Sequence, residues 1–121
     1  PWRNQNIPGK PLNSMHSEQL LCVSTTLDSQ VAARAIAKNL VEVGQAACVQ
    51  VIGPIESVYR WQGKMEQAEE WLCIAKTDRA HFAALKDIIL KHHPYDEPEV
   101  IATEIVGGSD GYLSWLGKQL T

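Results

Sequence analysis

Apolar positions along this chain change period several times, and each change marks an element. Leu20-Leu21-Cys22-Val23-Ser24-Thr25-Thr26 is a short apolar run with β-branched residues and predicts a buried strand. Asp28 offers a helix N-cap, and Ala32, Ile36, Leu40 and Val43 follow at helical spacing until Gly44 closes the helix. Residues 46–61 are β-rich, with Gly53-Pro54 in their middle. Proline donates nothing to a ladder, so this point is a bend, a bulge or an edge. Gln62-Gly63 turns the chain, and residues 64–77 run back as a second long strand whose Trp71–Ala75 part is apolar on both faces. Asp78 then caps a helix with the stripe Phe82, Leu85, Ile88 and Ile89, which must end near His92-His93 because Pro94 disfavours helical geometry in the residue before it. Residues 100–106 alternate as another strand and stop at Gly107-Gly108. Ser109 or Asp110 caps a last helix carrying Leu113, Leu116 and Leu120.

The order βαββαβ plus a terminal helix predicts an α+β, ferredoxin-like split βαβ fold, an antiparallel sheet with two helices on one face. The two middle strands are over-long: about 14 residues extend roughly 45 Å at strand rise. The excess projects as a hairpin whose natural use is pairing with a neighbouring subunit.

The length of 121 residues fits one domain, and 45% hydrophobic residues suffice for a packed core. So small a monomer buries a limited share of its surface, which favours oligomerisation. With 14 acidic and 11 basic residues there is no basic footprint for nucleic acid. No apolar run reaches the roughly 18 residues of a membrane span. Cys22, Cys48 and Cys73 are isolated in apolar runs. They suggest core thiols in a reducing, cytoplasmic setting rather than a disulfide framework or a structural zinc site. Residues 1–14, with three prolines and no periodicity, are expected to be a flexible arm or a remnant of cloning. Met15 is the candidate native start and 15–121 the folded domain.

Two stretches carry candidate chemistry. Tyr59 and Trp61 share a strand face, with Lys64 at the following turn and Glu66 and Glu70 on one face of the return strand. His92 and His93 end a helix before the acidic, Pro-bounded loop Pro94-Tyr95-Asp96-Glu97-Pro98-Glu99. If the stretches meet, aromatic, imidazole and carboxylate groups share one site. Neutral imidazole suits copper, zinc or nickel, but adjacent helical residues point about 100° apart, so the pair does not chelate one ion. The bland readings are favourable charge at a helix C-terminus for the histidines, an interface cluster for the aromatics and a solvated edge for the carboxylates. No nucleophile elbow, phosphate loop or dinucleotide fingerprint is present.

Ala46-Ala47-Cys48-Val49, the run Tyr59-x-Trp61-x-Gly63-Lys64-x-Glu66-x-x-x-Glu70, His93-Pro94-Tyr95 with Pro98-Glu99, and Tyr112-Leu113-x-Trp115 together resemble the CutA family of divalent-cation tolerance proteins over residues 19–119. Asp96 stands where that family usually has Glu, and Gln45 where Leu is common. The resemblance implies a ferredoxin-like subunit in a tight homotrimer, similar in build to PII-type signalling proteins and associated with copper and other divalent cations. The expected function is a trimeric, non-enzymatic divalent-cation binding protein. Its cleft between subunits is lined by Tyr59, Trp61, Lys64, Glu66, Glu70, His93, Tyr95 and Asp96. A weakly held metal such as copper has His92, His93, Cys22 and Cys48 as candidate ligands. The alternatives are a PII-like signalling or scaffold trimer reporting a small ligand to a protein partner, and an enzyme using His93 as general base. A carboxylate within reach of His93 in a closed pocket would favour the last.

Overall fold

The computed structural model describes residues 19–121. The predicted arm, residues 1–14, and Met15 lie outside them. The elements are β1 (Leu20–Leu27), α1 (Gln30–Glu42), β2 (Cys48–Trp61), β3 (Lys64–Asp78), α2 (Arg79–His92), β4 (Ile101–Glu104) and α3 (Asp110–Lys118). The four strands form one antiparallel sheet in the order β2-β3-β1-β4, and with three helices the fold is α+β.

Several boundaries move for local reasons. The cap of α1 is Ser29, not Asp28, since the Ser29 hydroxyl accepts from the Ala32 N–H at 3.2 Å. Gly44 sits just beyond the end of α1 at φ +76°, in the left-handed region where glycine is unstrained. Asp78 does cap α2, accepting from the His81 N–H at 2.9 Å. β4 is only four residues long and pairs with β1 from Leu21 to Ser24, while just beyond it the Ile105 N–H still bonds the Leu20 carbonyl at 3.0 Å.

Register assigns the faces. Leu21, Val23, Thr25 and Leu27 of β1 lie opposite Thr77, Ala75, Cys73 and Trp71 of β3. With Ala33, Ile36 and Leu40 of α1 and Leu85 and Ile89 of α2, the apolar members of this row form the main core, so α1 and α2 cover the same sheet face. Cys73 is a core thiol pushed up to about 11 by burial, 3.6 Å from the Ala33 carbonyl. Leu20 points the other way and joins Ala47, Leu113 and Leu116 in a second cluster. Helix α3 therefore covers the opposite face at the Leu20 end and leaves the rest of that face open.

The expected irregularity at Gly53-Pro54 is a bulge. Ile52 pairs with Leu72 and Ile55 with Glu70, so Gly53 and Pro54 together oppose Trp71 alone. The bulge switches the parity of β2. Before it, Cys48, Gln50 and Ile52 face away from α1 and α2; after it, Ile55, Ser57, Tyr59 and Trp61 do.

Candidate functional site

The site forms where β1 stops short. β1 pairs with β3 from Trp71 to Asp78, so residues 64–70 of β3 have β2 on one side and no described strand on the other. The loop after α2 takes the vacant place. His93 leaves helical geometry at ψ 136° in front of Pro94, as the pre-proline restriction demands, while its N–H still bonds the Ile89 carbonyl at 2.9 Å. The loop then crosses the end of β1 onto the sheet face that α1 and α2 leave bare.

There it closes a cleft of about 730 Å³, lined by Thr26, Ser57, Val58, Tyr59, Trp61, Glu70, Pro94, Tyr95, Asp96, Glu97 and Glu99. The central polar contact is a hydrogen bond from the Tyr95 hydroxyl to Glu70 Oε2 at 2.7 Å. Glu70 is 7% exposed. Burial, the bond to Glu70 and the nearby charges of Glu70 and Asp28 raise the Tyr95 phenol well above its usual range. It therefore remains a neutral donor.

His93 sits behind Tyr95 and holds the loop in place. Its Nδ1 accepts from the Tyr95 N–H at 3.1 Å, and its Nε2 lies 2.9 Å from the Thr26 carbonyl. An amide can only donate and a carbonyl only accept, so the partners set the tautomer: the proton is on Nε2. The ring tilts against Tyr95 with centroids 4.7 Å apart. Burial lowers the His93 pKa, against the Thr26 bond and the Asp28 and Glu70 charges. Both nitrogens are engaged by backbone, and no carboxylate bonds the ring among the described residues. The arrangement named above as favouring a general base is thus not the one found.

The other proposed site residues divide. Tyr59, Trp61, Glu70, Tyr95 and Asp96 meet in the cleft. Lys64 and Glu66 lie opposite Trp61 and Tyr59, on the same face but at the exposed hairpin tip outside the lining. His92 is exposed and diverges from its neighbour; its Nδ1 bonds the Ile88 carbonyl at 3.0 Å, which leaves the Nε2 lone pair toward solvent. Cys22 and Cys48 flank Lys76 in one cross-strand row, two strand spacings apart. That is about 9–10 Å, too far for a disulfide. Burial raises the Cys22 thiol, partly offset by Lys76. The Cys48 sulfur lies 3.6 Å from the Tyr112 hydroxyl. Among the described residues no three His, Cys, Asp or Glu side chains gather as a metal cage would need. Glu97 and Glu99 were legible as part of the acidic loop, whereas nothing in the sequence marked Thr26 or Ser57 as lining.

His93 and a second histidine pull stability in opposite directions with pH. The unfolded His93 titrates near 6.5 and the folded one lower, so its contribution is complete above about pH 6.5 and is lost as pH falls through the folded value. His81 is raised, chiefly by its 2.6 Å bond to Asp78, so its contribution is present below about pH 6.5 and is lost as pH rises through the folded value. On moving from pH 7.5 to pH 5, His93→Gln is expected to lose less melting temperature than the wild type, and His81→Gln to lose more. Equal losses in all three proteins would contradict both assignments.

A family model described as CutA1 divalent ion tolerance protein matches residues 21–119. The chain is 43% identical over 94 residues to the divalent-cation tolerance protein CutA of Thermus thermophilus, covering 78% of this chain and 91% of that protein. It is 42% identical over 96 residues to the chloroplastic protein CutA of Arabidopsis thaliana, covering 79% of this chain but only 53% of the plant protein. In three dimensions it is similar to the solved divalent cation tolerance protein of Thermus thermophilus, with a TM-score of 0.82 and 39% identity, covering 84% of this chain and 99% of that one.

Proposed function

The chain belongs to the CutA1 divalent ion tolerance family, and from that membership we propose that it acts in divalent-cation tolerance as a non-enzymatic homotrimer of ferredoxin-like subunits, with its ligand clefts between subunits. The observation that carries this reading is the face around the cleft. The hairpin leaves Tyr59 45% and Trp61 53% exposed on that face, beside Val58 of the cleft lining at 57%. Apolar groups of that size, continuous with a cleft, belong against protein rather than water. The outer edges of β2 and β4 have no strand partner among the described residues, which supports strand pairing between copies. Three free cysteines suit a reducing compartment, and cytoplasmic action is part of the proposal.

The cation is held weakly, with His92 as the leading ligand. Its ring already has the form that metal-binding histidines adopt, one nitrogen donating to a carbonyl and the other presenting its lone pair. Using His93 would instead cost one of its two backbone bonds. Copper titration by calorimetry tests the assignment. Binding is expected at pH 7.5 and weaker at pH 5.5, because imidazole must be neutral to ligate. Since loss of an outer-shell partner alone costs 10–100-fold, His92→Ala is expected to weaken binding by at least about tenfold. Affinity unchanged in His92→Ala would remove this ligand assignment.

A further inference from the structure

We propose that the cleft beside Glu70 is built for a small organic cation, an ammonium group on an apolar body, an inference that rests on reading this cleft as the ligand site. Among the described residues four carboxylates line it, from Glu70, Asp96, Glu97 and Glu99, and no lysine, arginine or histidine does. The lysine nearest by register, Lys64, lies outside the lining at the hairpin tip. A negative lining of this kind selects for positive charge.

Glu70 sets the polar end of the site. The side chain is buried, yet only its Oε2 has a hydrogen-bond partner among the described residues, the Tyr95 hydroxyl. The free Oε1 is not sealed off from solvent, so its acceptor positions open to the cleft. An ammonium N–H would fill one and neutralise the charge. Tyr95, kept protonated, holds the carboxylate at the cleft wall instead of competing with it for a proton.

Tyr59, Trp61 and Tyr95 set the apolar end. Aromatic faces attract a cation while packing against the carbon skeleton that carries it. Metal coordination asks for something else: three or more ligands converging on one point, which the described residues do not provide. Carboxylates spread around an aromatic-walled space fit a charge at one end of an organic body, and about 730 Å³ lies within the range of small-molecule pockets.

Three probes of matched shape test this on the full chain: benzylammonium, benzyl alcohol and benzoate, titrated by calorimetry or ligand-observed NMR. Benzylammonium is expected to bind about tenfold or more tightly than benzyl alcohol, with benzoate weaker still, and the preference should shrink as salt rises. Glu70→Gln is expected to erase most of the preference. Because Glu70 is buried, the exposed Asp96→Asn provides a second variant and should reduce the preference without lowering the melting temperature. Equal binding of all three probes, or preference for benzoate, would overturn the cation while leaving the cleft as a ligand site. No binding of any probe at millimolar concentration would overturn the cleft reading itself. A preference for benzylammonium unchanged in both variants would place the cation elsewhere.

Discussion

Trp61→Ala is expected to take the proposed homotrimer apart. In a single chain Trp61 is half exposed, so truncating it would be a surface change, usually within about 0.5 kcal/mol. If neighbouring copies bury it, truncation costs about 3–5 kcal/mol, the figure for a buried aromatic. That loss would recur at every equivalent interface in a closed ring. The two readings therefore differ by a large margin at one residue. The expected result is a solution mass falling toward the 13.4 kDa of one chain at low micromolar concentration, together with a lower melting temperature. Unchanged mass and melting temperature would mean that Trp61 serves the cleft alone.

The second large effect is at the bulge. A Cβ built on Gly53 would lie 2.2 Å from Trp71 Cδ1 and 2.7 Å from its Nε1. The indole cannot swing aside freely, because Trp71 packs against the main core opposite Leu27. Gly53→Ala is thus an overpacking substitution and is expected to cost about 1–3 kcal/mol. In urea the midpoint should fall, with the slope of the transition unchanged. An unchanged midpoint would show that Trp71 has room to move, contrary to the packing described.

This bulge also marks the limit of what could be read from the chain. Gly53-Pro54 announced an irregularity, but only the register counts its residues. A regular strand would have put Tyr59 and Trp61 on the face of Val49 and Val51, beneath the helices. One extra residue puts them with Cys48 on the open face, where the cleft is. The helices were legible because their stripes are strongly periodic, and the second long strand because Gln62-Gly63 is a clear turn. The ends of β4 and the cap of α1 were not, since several neighbouring residues have the chemistry to end an element and tertiary partners choose among them.

The site was legible in parts. Tyr59 and Trp61 could be paired by spacing, and the loop of residues 94–99 stood out by its prolines and acids. What joins them, Tyr95 to Glu70, spans 25 residues and follows no pattern in the sequence. His93 looked like a ligand because its residue type suggests one. Its work in the fold, bonding the Thr26 carbonyl and the Tyr95 amide, depends on a contact 67 residues away. Neither period nor motif reports such a contact.

In the proposed homotrimer, copies of this chain close the open sheet face of their neighbours. Light scattering on the size-separated wild-type protein at about 10 µM is the test, since a dissociation constant well below that leaves the assembly intact. The mass predicted is three times the 13.4 kDa of the chain. A mass of one or two chains at that concentration would rule out the proposed homotrimer.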